Sequence, residues 1–108
     1  MFRKFLLLVS LAMLCAGACA KTVVIDVRTP DEYAVGHLAG AINIEHQLIA
    51  QRIASAGIGK DDEVILYCNT GRRAGVARTT LMGLGYKHVE NYGSMEDARW
   101  KILEKLSG

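Results

Sequence analysis

Two short apolar runs limit the fold of this chain most strongly: Thr22-Val23-Val24-Ile25-Asp26-Val27 and Glu63-Val64-Ile65-Leu66-Tyr67-Cys68. Neither alternates apolar with polar residues. Each therefore reads as a strand covered on both faces, the pattern of a parallel sheet between layers of helix. Residues 41–44 and 88–91 are shorter strand candidates. The segments between them have helical patterns. Thr29 is placed to cap a first helix, with Pro30 in its first turn and Asp31 and Glu32 near the positive end of the helix dipole, and Gly36 ends it. Residues 45–56 put Ile49, Ile53 and Ala56 on one stripe, stopped by Gly57-Ile58-Gly59. Residues 72–84 are expected to bury Val76, Ala77, Leu81 and Leu84, with Gly85 as a left-handed cap. A last helix starts at Ser94 with a Ser-x-x-Asp capping box through Asp97, and Met95, Ala98, Ile102 and Leu106 form its apolar side. Strands alternating with helices predict an α/β domain whose function gathers beyond the carboxyl ends of the strands.

Residues 1–20 read as an export signal and are set aside. Arg3 and Lys4 precede an apolar stretch from Phe5 to Leu14, and Ala18-Cys19-Ala20 offers a small-residue cleavage site before Lys21. The apolar stretch is shorter than a spanning helix needs, so export to the periplasm is expected with no membrane span after processing. The alternative is cleavage before Cys19 with lipid on its sulfur. Ala16, at a position where such sites usually carry Leu, argues against it. Removing 20 residues from 108 leaves 88, enough for one domain, residues 21–108, which is expected to be a monomer. Of 13 Lys and Arg, Arg3 and Lys4 lie in the signal, leaving 11 against 11 Asp and Glu. A neutral domain has no bulk charge to attract nucleic acid or a membrane surface.

Of three cysteines, Cys15 and Cys19 also lie in the signal, so Cys68 is the sole thiol of the domain. A lone cysteine cannot form an internal disulfide, and in an exported protein it needs a reason. Its place at the end of a buried strand directs it to the functional edge of the sheet. The loop after it leads into a helix, so the amides of residues 69–73 can curl round the sulfur, and unpaired amides at a helix start stabilise negative charge. Gly71 gives the loop its tight turn, while Arg72 and Arg73 supply cationic forks that suit an oxyanion. Cations at a helix start oppose its dipole, which argues for a functional role for at least one of them. Arg72 is the choice for the substrate, with Arg73 nearer the helical turn.

The segment from Asp26 to Ile44, D-V-R-T-P-D-E-Y-A-V-G-H-L-A-G-A-I-N-I, resembles the Asp-x-Arg, Glu-Tyr and Gly-His-Ile-x-Gly-Ala-x-Asn-Ile signature of rhodanese domains. The stretch C-N-T-G-R-R from Cys68 to Arg73 is similar to their six-residue active loop. The motifs stand in the right order and, with Gly93, span most of residues 21–108. The resemblance implies a rhodanese-like fold, pared down to a parallel sheet of about four strands with helices on both faces. It also implies a sulfurtransferase. Cys68 attacks the outer sulfur of thiosulfate or another sulfane sulfur donor, sulfite leaves, and cyanide or a thiol takes the sulfur from the resulting persulfide. Such chemistry calls for no metal and no cofactor. The resemblance gives the amides of Asn69, Thr70, Gly71, Arg72 and Arg73 to the substrate and persulfide, and makes Asp26 and Arg28 a supporting ion pair. His37 and Asn43 match positions that brace the fold. His46 and His88 lack metal-ligand spacing and are expected at the surface.

Three rivals remain. A cysteine-dependent phosphatase by analogy needs an arginine six positions after the cysteine, where Ala74 stands. A non-catalytic binding module of the same fold has no need of Cys68. A thiol redox partner lacks a second cysteine to resolve it.

Overall fold

The computed structural model describes residues 20–108, so the expected export signal lies, except for Ala20, outside the described residues. Four strands, β1 (Thr22–Asp26), β2 (Ile42–Asn43), β3 (Glu63–Cys68) and β4 (His88–Ser94), form one sheet in the order β2-β1-β3-β4. Every neighbouring pair is parallel. The expected α/β architecture is therefore present, and the two runs with the purest apolar content, β1 and β3, take the two central places. Residues on β3 alternate between faces. Val64, Leu66 and Cys68 join Ile25, Val27 and Val89 on one side, whereas Tyr67 joins Val24 and Tyr92 on the other.

Helices cover both faces. Helix α1 (Pro30–Val35) starts with the expected cap: Thr29 accepts the Glu32 N–H, and the Glu32 carboxylate returns to the Thr29 N–H. Helix α3 (Arg72–Gly83) packs on the Cys68 face through Ala74, Ala77 and Leu81. The expected Val76 and Leu84 are not buried; they are 53% and 41% exposed. Ala74 sets the phase, because two alanines one turn apart let the helix start lie close to the sheet, and Val76 then points about 200° away from Ala74. Leu84 lies beyond the last turn, where the Tyr86 N–H bonds to the Leu81 carbonyl and the Gly85 N–H to the Met82 carbonyl. This is a Schellman closure, with Gly85 at φ 96° as its left-handed residue.

The segment expected as one helix over residues 45–56 is broken up. A 3-10 turn (His46–Leu48) leads into α2 (Ile49–Arg52), and turns follow. Ile49 and Ile53 are buried as expected, but Ala56 is exposed. The chain leaves the helix early because Ile58 must descend into the core, where its carbonyl accepts the Tyr86 hydroxyl. Helix α4 (Met95–Ser107) covers the Tyr67 face through Ala98, with Met95 and Ile102 half-buried. Leu106, expected on that side, is exposed. Lys105 already pairs with Glu63, the first residue of β3, so the next residue has passed the end of the sheet. Strand β4 runs three residues further than the sequence pattern, through a register shift that pairs Cys68 with Ser94 and leaves Gly93 at φ 91° in the bulge.

Candidate active site

Cys68 ends the central strand with its side chain directed into the α2–α3 face, and the residue is 1% exposed. Its Sγ accepts the Gly71 N–H at 3.0 Å. Of the loop amides expected round the sulfur, Gly71 is the one bonded to it; Gly71 is also the N-cap of α3 at φ 91°, and no side chain caps the helix among the described residues. A left-handed glycine here has a second cause. A Cβ on Gly71 would lie 3.1 Å from Gly93 Cα, so loop and bulge touch backbone to backbone.

The two arginines have different surroundings. Arg73 forms a fork with Glu32, Nη1 to Oε1 at 2.7 Å and Nη2 to Oε2 at 3.1 Å. Arg72 is exposed and has no side-chain hydrogen bond or ion pair to another described residue. It lines a cleft of about 450 Å³ with His46, Asn69, Thr70, Arg73 and Val76. The outward turn of Val76 thus gives the cleft an apolar wall one helical turn from Arg72. Glu32 was not singled out for the site by sequence. Besides Arg73 it takes Asn69 Nδ2 at 2.5 Å, tying the loop to the start of α1. The Arg73 fork, with help from the Thr29 N–H, holds its carboxyl well below the usual carboxylate range. Two signals in the sequence touched Glu32, the Glu-Tyr part of the signature and its place near the positive end of the helix dipole, and neither pointed to Arg73 or Asn69.

Asp26 and Arg28 form the expected ion pair, 0% and 6% exposed. Arg28 Nη2 meets Asp26 Oδ2 at 2.7 Å, Nε meets Oδ1 at 3.0 Å, and the Arg28 N–H adds a bond to Oδ1 at 2.9 Å. The same guanidinium donates to the Gly36 carbonyl at 2.6 Å and to Asn69 Oδ1 at 3.4 Å. Bonding to Asp26 raises the Arg28 pKa above its ordinary value. Tyr67 runs under this pair and its hydroxyl accepts the Leu38 N–H; burial pushes that hydroxyl up to about 12. Asn43 braces as expected, donating to the Asp26 and Arg28 carbonyls, both at 3.0 Å. His37 stacks on Tyr33 at 3.6 Å. His88 is exposed, but His46 is not the free surface residue expected. It is half-buried beside the cleft, its backbone N–H held by the Val27 carbonyl, with Nδ1 buried and without a hydrogen-bond partner among the described residues.

A depression of about 490 Å³ at the opposite edge of the sheet is lined by mixed charges, including Lys21, Asp61, Glu63 and Arg78, and by no cysteine. The chemistry belongs at the Cys68 edge. There the cradle is short: Gly71 caps the helix three residues after the thiol, and the sixth position is Ala74, 0% exposed and turned into the core. An arginine could not reach an anion from that position. A cysteine cradle of this size at the carboxyl edge of a small parallel sheet is that of the rhodanese class. Residues 12–99 match the family model of the rhodanese-like domain, and the chain belongs to that family. It is 43% identical over 97 residues to the thiosulfate sulfurtransferase PspE of Escherichia coli K12, covering 90% of this chain and 92% of that one. Among solved structures it resembles a rhodanese with anions from E. coli, with TM-score 0.67 and 46% identity over 70% of this chain and 89% of the other. It also resembles a human single-domain sulfurtransferase, with TM-score 0.63 and 26% identity over 85% and 91%.

Proposed function

We propose that this protein is a thiosulfate sulfurtransferase that carries sulfur on Cys68. The observation that supports this most is the Cys68 sulfur under the Gly71 amide, at the root of a loop whose Asn69, Thr70, Arg72 and Arg73 line a cleft, with Arg72 unpaired among the described residues. The Cys68 thiolate attacks the outer sulfur of thiosulfate. The S–S bond of the donor breaks with its electron pair leaving on sulfite, and a persulfide anion remains on the enzyme. Cyanide or a thiolate then takes the outer sulfur and restores the Cys68 thiolate, so charge and electrons balance in both steps. Arg72 binds the sulfonate end of thiosulfate. Arg73, Asn69 and Thr70 form the loop wall, and the Gly71 N–H receives the persulfide charge. Asp26 and Arg28 support the loop from below through the Asn69 contact.

Intact-mass spectrometry tests the reading. Wild-type protein treated with thiosulfate gains one sulfur atom, and Cys68→Ala gains none. Hydrolysis of aryl phosphates without thiocyanate formation from thiosulfate and cyanide would overturn it. Export to the periplasm, cleavage after Ala20 and a monomeric domain of residues 21–108 belong to the same proposal. The layout of residues 1–20 supports the export and the cleavage, and the 88 residues that follow suffice for one domain. The mass of protein purified from its native host reads the cleavage site; a lipid on Cys19 would replace the soluble form with an anchored one.

A further inference from the structure

Gly71 is held at both of its peptide groups, and the second hold comes from a residue outside every motif considered above. Its N–H donates to Cys68 Sγ, while its carbonyl accepts both the Gly75 N–H at 3.0 Å and Asn91 Nδ2 at 2.8 Å. Asn91 stands on β4, and its own Oδ1 accepts the Gly93 N–H at 2.8 Å. With both ends engaged, the Asn91 amide has one orientation: oxygen toward the bulge and nitrogen toward the loop. The start of α3 is built round it, since a Cβ on Gly75 would lie 3.5 Å from Asn91 Nδ2.

This hold has a consequence on the far side of the peptide. A trans peptide is planar, so the Arg72 N–H points opposite to the Gly71 carbonyl. That carbonyl runs along α3 toward Gly75, and the Arg72 N–H therefore points back out of the helix start, into the loop that Cys68 closes. We propose that Asn91 is a positioning residue for sulfur transfer. By fixing the Gly71 carbonyl it aims the Arg72 amide, beside that of Gly71, at the sulfur that Cys68 carries. The inference rests on the reading of Cys68 as the carrier. As the donor S–S bond breaks, negative charge gathers on the new outer sulfur, and donors already aimed at it stabilise that charge without reorganising.

The test is single-turnover sulfur loading by thiosulfate, followed by intact mass, in wild type, Asn91→Asp and Asn91→Leu. Asn91→Asp keeps the acceptor for the Gly93 N–H and loses the donor to Gly71. Asn91→Leu loses both without adding charge. Loading at saturating thiosulfate is expected to fall about tenfold or more in both variants, with a smaller change in KM. Equal loading rates in all three proteins overturn the positioning role and leave Cys68 as carrier. A wild type that gains no sulfur on Cys68 overturns both readings. A measurement on the wild type alone guards against variants that fail to fold: the amide ¹⁵N–¹H resonances of Gly71 and Arg72 are both expected to move when the persulfide forms. An Arg72 resonance that stays in place overturns the proposal.

Discussion

Arg72 and Arg73 are adjacent in the chain and identical in chemistry, yet among the described residues only Arg73 has its charge taken up. The Glu32 fork uses the planar geometry of the Arg73 guanidinium and leaves Arg72, at the cleft, without a partner among those residues. Replacing Arg72 by Ala is expected to remove a charge-assisted contact and raise the thiosulfate KM by about 10- to 100-fold. Replacing Arg73 by Ala is expected to lower the melting temperature and change KM less. Steady-state kinetics with a thermal melt checks both; the opposite pattern would exchange the two roles. The residue types were legible in C-N-T-G-R-R, but their division of labour was not. It depends on Glu32, 41 positions away from Arg73.

Among the elements, α1 has the role least visible beforehand. Its capping box reads as a local device, but the same Glu32 carboxylate also holds Asn69 and Arg73 and so couples the start of α1 to the active loop. Because the folded chain depresses the Glu32 pKa below its ordinary 4.5, the clamp stabilises the fold fully above that value and is lost as pH falls through the folded value. Thermal melts of wild type and Glu32→Gln are expected to differ most near neutrality, to start approaching each other as pH falls below about 4.5, and to meet only below the folded value. A gap that stays constant with pH would show that the carboxylate charge is not what matters. The strands were read closely, because a strand buried on both faces has an unbroken apolar run. The segment 45–56 was not, since helical spacing continued past the point where burial of Ile58 turned the chain.

For the molecule as a whole, the Asp26–Arg28 pair is the central polar fixture. It sits at the carboxyl edge of the sheet, and Arg28 reaches both the Gly36 carbonyl after α1 and Asn69 in the loop. Asp26→Ala leaves a guanidinium 6% exposed without its counter-charge. The expected cost is about 3–5 kcal/mol, or roughly 12 °C or more in melting temperature for a domain of this size. Calorimetry checks the figure, and a drop of a few degrees would mean that water or the neighbouring carbonyls compensate Arg28. Pattern and composition by themselves determined the alternation of strands and helices, the burial of β1 and β3 on both faces, and the place of Cys68 at the carboxyl edge. These follow from short-range periodicity, which the chain carries locally. Only the tertiary structure decided that Glu32 clamps Arg73 and not Arg72, that Val76 walls the cleft, and that Glu32 and Asn91 reach the loop. Their partners, 37 positions off for Glu32 on Asn69 and 20 for Asn91 on Gly71, are set by strand order, register and helix phase. No local pattern encodes those three.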